Sequence, residues 1–379
     1  MPGREKPVLS LSWGQALAYR LSKHHLDRRA RKEDLTRVVA DICGVHAQLF
    51  SAAELAVWAR VYEVHQGDLE DYLWKNRTLV KTWGMRGTLH LFPAEEYWTY
   101  VRVLAKTRTG YRTGAWQRGE GVTLEEIERI IVLVGSALGR DSLTRVELAD
   151  MVSREVGPHL RDLMLSGWGS LLKPAAYNGR LVVGPPRDGK TTFLRPDRWL
   201  KTRPKKEDYD ESVKIILSRY LGAYGPATHD DFAQWWGISS ASGRRLFESI
   251  GEEITQVDVE GYRAWMLSAD VDKIQKVPPV NSVRLLPNFD SYVMGFRPRD
   301  LLVPKNHLPL VFRPQAWVSP VILVDGRAAG TWELQKGKTN KLHARLFTRL
   351  SQVKKSELKE EVDRLGGFLE RRLTVEISI

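Results

Sequence analysis

The 379-residue chain has one cysteine, Cys43. A single thiol allows no intrachain disulfide and no cysteine-based zinc site. It lies in an apolar helical stretch, so it reads as a small buried hydrophobe rather than a nucleophile. No segment approaches the roughly 18 continuous apolar residues of a membrane span, and the charged residues 1–7 lead into no apolar signal core. A cytoplasmic protein is the expectation. There is no Gly-x-Ser-x-Gly elbow. Apart from the adjacent His24 and His25, the nine histidines are scattered, so no metal cluster is readable. Acid is also in short supply. Asp and Glu number 46 against 58 Lys and Arg, a formal net charge of +12. That surplus favours a polyanionic partner. A membrane surface would satisfy it too, but no polybasic amphipathic segment stands beside a lipidation signal.

What is present is a coarse repeat. Hydrophobic residues make up 42% of the chain, with 13 Trp, ample for two or three packed domains. Residues 8–30 are expected to be helical, with Trp13, Leu17 and Leu21 at four-residue spacing. Leu35, Val38, Val39 and Ile42 give a second helical pattern. Ser51 is a candidate cap for a third, with Leu55, Trp58, Ala59 and Tyr62 on its apolar face. Residues 79–92 then read as a hairpin turning at Gly84 and Gly87. The order returns with a Thr144–Glu147 capping box, a helix near 163–177, and a hairpin of 181–183 and 191–194 turning through 185–190. It returns again with Thr228 and Asp231, a turn at Gly237-Ile238-Ser239, a helix holding Arg244 and Arg245, and a hairpin of 254–259 and 262–267 around Glu260-Gly261.

Helix, helix, hairpin is winged-helix order. The fold class is therefore read as α+β, with three tandem winged-helix modules at 1–110, 111–200 and 201–280. Residues 201–206 read as an exposed basic linker into the third. A β-rich region at 281–379 follows, with strands near 283–287, 321–324 and 373–377 and a charged helix at 357–371. A winged helix puts its second helix in a groove and its hairpin on the backbone. Lys81, Arg86 and His90 on the first hairpin, Arg187 and Lys190 on the second, and Arg244 and Arg245 on the third helix pair are thus candidate DNA contacts. Solvated surface charge is the other reading of each.

Residues 184–191, Gly-Pro-Pro-Arg-Asp-Gly-Lys-Thr, match the phosphate-loop pattern letter for letter, and 321–325 resemble the strand and metal-binding Asp that would accompany it. A phosphate loop cradles its ligand with backbone N–H groups, which Pro185 and Pro186 lack, and must open a helix. Residues 192–196 favour a strand and then a break, and Asp325-Gly326 reads as a hairpin turn.

The polar pair His46 and Gln48 interrupts an apolar stretch between two helical patterns. If the segment is extended, both project to one face, and Val45, Ala47 and Leu49 anchor the other. An imidazole beside a carboxamide can position and partly deprotonate a water. Alternatively, the two merely satisfy backbone groups at a helix–helix corner. Asn288 and Asp290 sit in a polar and aromatic stretch after a strand and are candidate pocket-lining residues. Alone, Asp290 reads as a turn or cap residue, with Arg297 as its simplest ionic partner.

Five pieces taken together carry a resemblance: His46-Ala47-Gln48, Met85-Arg86-Gly87-Thr88-Leu89-His90, Gly225-Pro226-Ala227-Thr228, Leu285-Leu286-Pro287-Asn288-Phe289-Asp290, and residues 324–332. In this order, over roughly 8–340, the chain resembles the tandem winged-helix DNA glycosylases. The resemblance implies three winged helices around a basic DNA channel closed by the β-rich region, and hydrolysis of the N-glycosidic bond of alkylated purines, including crosslinks. It implies a double-stranded DNA partner, a monomer and no cofactor. The family's catalytic motif is Gln-apolar-Gln in its AlkZ-like branch and Gln-apolar-Asp in the other. Here His46 stands where the first Gln is expected and Gln48 is kept, nearer the AlkZ-like branch. The imidazole is bulkier than a carboxamide and titrates near neutrality, which bears on substrate range and water geometry. An N7-alkylated guanine is cationic and leaves without a general acid. Gln48 would orient the attacking water and neutral His46 accept its proton. With no lysine in the motif, the expectation is a monofunctional glycosylase. A non-catalytic winged-helix regulator is the alternative. General repair and antibiotic self-resistance remain equally open.

Overall fold

The computed structural model describes residues 9–139, 141–203, 207–335 and 340–379. These form two compact units. Among the described residues no helix is long and apolar enough to cross a membrane.

The first unit combines the N-terminal residues to Asp68 with Leu217–Trp235 and Ser239–Ile379. Its first helix, Trp13–Lys23, starts at a reciprocal cap. Ser12 Oγ accepts from the Gln15 N–H at 3.2 Å, and Gln15 Oε1 accepts from the Ser12 N–H at 3.0 Å. Each bond satisfies an amide that the helix start would leave orphaned. The expectation of a helix over 8–30 is corrected at both ends, since the helix stops at Lys23 and residues 24–30 are non-helical. Leu9–Leu11 is a strand, paired in parallel with Ile254–Val259. The Leu-Ser-Leu alternation has period two, and Leu11 enters a core with Trp13, Ala16, Tyr19, Val257, Val259, Met266 and Ile274.

Helix Leu35–Asp41 is followed by left-handed backbone at Cys43 (φ 58°) and Gly44 (φ 91°). The chain then runs through the short strand Val45–His46 into helix Phe50–Trp58. Leu49, extended at φ −103° and ψ 115°, holds the cap position. Ser51, expected there, already lies inside the helix, past the point where its hydroxyl can reach back to an orphan amide.

Helices His229–Trp236 and Ser240–Ile250 follow the expected pattern. Asp231 Oδ2 accepts from the Thr228 N–H at 2.8 Å, and Thr228 Oγ1 accepts from the Asp231 N–H at 3.1 Å. The hairpin Ile254–Val259 with Tyr262–Leu267 turns at Glu260 and Gly261, both at positive φ. A two-residue turn of this kind matches the twist of the strands. Farther on, a sheet runs in the order Val283–Leu286, Val321–Val324, Arg327–Leu334, Lys341–Leu346, Thr374–Ser378. Its last pair is parallel, with helix Gln352–Phe368 as the crossover. Asp325-Gly326 is the expected turn. Strands Arg327–Leu334 and Lys341–Leu346 add to those the sequence suggested.

The second unit comprises Leu69–Ile216 and Trp236–Ile238. Its strands follow the order Leu89–Pro93, Leu79–Trp83, Val182–Arg187, Lys190–Leu194, Leu143–Thr144. The Thr144–Glu147 capping box opens helix Arg145–Glu155. In place of one helix over 163–177 there are two, Leu160–Leu165 and Lys173–Tyr177. The glycines of Ser166-Gly167-Trp168-Gly169 break the run, Gly169 at φ 64°. The second hairpin turns on Asp188 and Gly189 rather than through 185–190. Pro185 and Pro186 sit inside strand Val182–Arg187, where the register shifts between Gly184 and Arg187. A proline cannot donate to the ladder, and such an irregularity is where a strand tolerates it. Residues 190–194 form a strand, so the phosphate-loop pattern closes on a hairpin. Of the 201–206 linker, residues 204–206 lie outside the described residues.

In the first unit His24 is fully buried, its ring edge-on to Tyr224 (5.0 Å, 68°) and Tyr292 (5.2 Å, 80°). Burial first, then the charges of Arg60, His25 and Arg20, hold its pKa well below the ordinary histidine range. The folded protein therefore keeps His24 neutral while the unfolded chain protonates near pH 6.5. The stability due to this site is present above that pH and is lost as the pH falls below it. Urea unfolding at pH 7 and pH 5 should show a smaller stability drop in His24→Phe than in wild type, the difference growing by about 1.4 kcal/mol for each pH unit below 6.5 over which His24 stays neutral. Equal drops would show that another group carries the acid sensitivity.

Candidate active site

The segment bearing His46 and Gln48 is braced at three successive points, all by residues of the first unit. Tyr224 Oη donates to the Ile42 carbonyl at 3.2 Å. Ser291 Oγ donates to the Gly44 carbonyl at 3.1 Å. The His46 ring lies against Phe289, with centroids 5.0 Å apart and planes at 31°. The left-handed turn at Cys43 and Gly44 sets the direction in which the strand leaves, and the Gly44 N–H closes it onto the Val39 carbonyl at 2.8 Å.

Beneath lies an ion pair. Arg60 Nη1 and Nη2 each donate to one oxygen of Asp290 at 2.7 Å, and neither side chain has any solvent exposure. Arg60 Nη1 also donates to the Ala56 carbonyl at 2.8 Å. Asp290 Oδ1 accepts from the Tyr292 N–H at 2.9 Å, capping the short helix Ser291–Gly295. Both carboxylate oxygens are thus satisfied, as a buried charge requires. The pair fixes the loop that presents Phe289 and Ser291 to the motif.

Two expectations are corrected here. Asp290 does not line the cleft described below, since its side chain is fully buried in the pair with Arg60. Arg297 is not its partner. Arg297 Nε instead donates to Gln234 at 2.6 Å, and its guanidinium also serves the carbonyls of Met294 and Phe296. The residue that sequence reasoning missed is Arg60. Its signal was a lone cation within the apolar run Val57-Trp58-Ala59-Arg60-Val61, a place an arginine occupies only with a buried acceptor.

His46, Val45 and Ala47 are buried, whereas Gln48 is exposed. Leu49 departs from its expected anchoring role. It is 39% exposed and borders a cleft of about 870 Å³ within the same unit. The strand ends at His46, so the alternation that would have buried Leu49 stops before it reaches it. Asn288 does line this cleft, together with Trp317, Trp332, Arg313 and Arg345. Trp317 packs edge-on to Phe289 (5.0 Å, 72°). An aromatic series from His46 through Phe289 to Trp317 thus joins the motif to the cleft wall.

The other candidates fall in separate places. Arg244 and Arg245, in the first unit, are exposed on helix Ser240–Ile250. In the second unit Lys81 is half-buried on strand Leu79–Trp83, and desolvation lowers its pKa. Arg86 sits at φ 54° in the turn Met85–Gly87. His90 is buried, with Nδ1 2.9 Å from the Thr88 carbonyl and its ring stacked on Phe92. Arg187 pairs with Glu147 and donates to the Ser142 carbonyl at 3.1 Å. Lys190 is exposed beside the hairpin turn. Among the described residues no group of three or more His, Cys, Asp or Glu could hold a metal ion.

Comparison with known proteins gives a consistent answer. Residues 39–368 match a family described as DNA glycosylase AlkZ-like. A curated relative from Streptomyces sahachiroi, the interstrand DNA cross-link repair glycosylase, is 35% identical over 332 residues, 86% of this chain and 89% of its own. The solved structure of Streptomyces sahachiroi DNA glycosylase AlkZ superposes with a TM-score of 0.90 at 32% identity, covering 98% of this chain and 100% of that one.

Proposed function

This chain belongs to the AlkZ-like DNA glycosylases, hydrolases of N-glycosyl bonds, and from that premise we propose that it is a monofunctional enzyme releasing N7-alkylated purines from duplex DNA, bulky adducts and interstrand crosslinks included. The observation that carries the reading is the exposed carboxamide of Gln48 two residues from the buried, ring-packed His46, on a segment braced at three points. Catalytic groups work when their supports fix them in place.

The chemistry needs little else. An N7-alkylated guanine carries a positive charge. As the C1′–N9 bond breaks, its electron pair moves to the base and neutralises it. The sugar becomes oxocarbenium-like. Gln48 Oε1 accepts a hydrogen bond from a water and directs its lone pair at C1′. The water's proton passes to the His46 imidazole. The products are the free base and an abasic site. With no lysine in the motif, no Schiff base forms there and the strand is not cut.

The relative's name as a crosslink repair glycosylase supports large substrates. So does the cleft beside Leu49, which offers room for an appendage next to the motif. In this reading three winged-helix modules, at 1–110, 111–200 and 201–280, line a basic DNA channel with the region 281–379. Lys81, Arg86, Arg187, Lys190, Arg244 and Arg245 contact phosphates, and the working form is a monomer. His90, buried, serves by holding the first hairpin turn.

The test is release of 7-methylguanine from a labelled duplex. Wild type should yield free base and an alkali-labile strand that stays intact until alkali is added, with no borohydride-trapped adduct. Release of neither 7-methylguanine nor a bulkier N7-guanine adduct would overturn the N7 specificity.

A further inference from the structure

In the second unit, Trp168 is 76% exposed, more than any other large hydrophobic among the described residues. Its loop is braced. The Gly169 N–H bonds the Ser166 carbonyl at 3.0 Å, and the Leu172 and Lys173 N–H groups bond the Gly169 carbonyl at 3.0 Å each. Arg145 Nη1 donates to the Ser166 carbonyl at 2.8 Å and reaches the Met164 carbonyl at 3.4 Å. Gly169, at φ 64°, packs so closely on Trp83 that a Cβ would lie 2.6 Å from its Cζ2. The indole is therefore held out by a fixed scaffold, which leaves no burial to explain it.

The scaffold that holds it leads to cations. Trp83, against which Gly169 packs, ends the strand leading into the Met85–Gly87 turn that carries Arg86. A Cβ on Gly87 of that turn would meet Arg108 Nη2 at 3.3 Å and Lys173 Nζ at 3.8 Å. Arg108 Nη1 also donates to the Gly237 carbonyl at 2.6 Å. Lys173 opens the helix four residues after Gly169. Its pKa is lowered, by desolvation first and also by the charge of Arg108 against the opposing pull of Glu120. A cationic turn joined to the loop of an exposed aromatic matches what a nucleic acid needs, phosphates for the charges and a base for the ring.

We propose that Trp168 is a DNA-stacking residue whose indole packs on a base unstacked by bending or by the lesion, while Arg86, Arg108 and Lys173 hold the flanking phosphates. The inference rests on the DNA-binding reading above and adds a contact which that reading does not contain. Such a wedge stabilises a distorted duplex in which the damaged nucleotide is accessible.

The test compares Trp168→Ala, Trp168→Phe and Lys173→Gln with wild type. Duplex affinity is measured over a range of salt, with 2-aminopurine placed along one strand. Trp168→Ala should bind about 5–160-fold more weakly with an unchanged salt slope, because stacking is worth roughly 1–3 kcal/mol per base and releases no counterion. Trp168→Phe, still aromatic, should stay within about threefold, and the change in 2-aminopurine fluorescence that wild type produces on binding should be lost only in the Ala variant. Lys173→Gln should reduce the salt slope by about one. Wild-type affinity and fluorescence in Trp168→Ala would overturn the stacking role alone. A concentration-dependent dimer abolished by Trp168→Ala at unchanged DNA affinity would overturn it as well, and assign the indole to self-association. A wild-type protein that binds no duplex would overturn both readings.

Discussion

Gln48→Ala should lower single-turnover excision of 7-methylguanine at least tenfold while duplex affinity stays within about twofold. The two readouts separate because the side chain carries no charge and is exposed. Its removal releases no counterion and opens no buried cavity. What is lost is the acceptor that aims the water. His46→Gln makes the complementary test. The imidazole is buried against Phe289, so the substitution disturbs packing as well as proton acceptance. Because a carboxamide can orient the water but cannot take its proton, His46→Gln should lower excision by about tenfold or more, whereas excision within about tenfold of wild type would reduce the imidazole's role to orientation. Equal losses of binding and excision in Gln48→Ala would remove Gln48 from the chemistry.

The largest effect on stability is expected from breaking the pair under the motif. Arg60→Ala leaves Asp290 buried with no cation, and Asp290→Ala does the converse. Removing one partner of a fully buried, bidentate pair costs about 3–5 kcal/mol. The measurement is the urea midpoint, with excision measured on the fraction still folded. Excision should fall too, because Asp290 caps the helix whose first residue, Ser291, holds the Gly44 carbonyl. The double variant Arg60→Met with Asp290→Leu removes both charges and should recover much of the stability, since a buried pair often gains little over apolar residues of similar volume. Recovery of stability without recovery of excision would show that the pair exists to set loop geometry. A midpoint unchanged in Arg60→Ala would contradict the burial described here.

How far the sequence could be read follows from how local each cause is. The caps at Thr144 and Thr228 were legible because both partners lie within three residues. So was the third hairpin, whose Glu-Gly turn is self-contained. The strand Leu9–Leu11 was missed because its partner is near residue 257, and three residues carry too little period to outvote the helix that follows. The break at 166–169 was written in two glycines but hidden by apolar spacing on either side. At the candidate site the sequence singled out His46 and Gln48, and also Asp290, whose structural role it misplaced. A carboxylate's meaning depends on its cation, and that cation was Arg60, read only as part of a hydrophobic run.

The separation of these two charges along the chain also governs when the site can come into being. Arg60 and Asp290 are 230 residues apart. At a synthesis rate of about 5–20 residues per second, roughly 10–50 seconds pass between their emergence from the ribosome. Throughout that interval the motif at 45–49 already exists as peptide, yet the loop that braces it does not. A nascent chain thus acquires the braced segment only late in translation, and a product truncated before Asp290 carries His46 and Gln48 without the loop that holds them. By the reading proposed above, base release waits until residue 290 of 379 has been made.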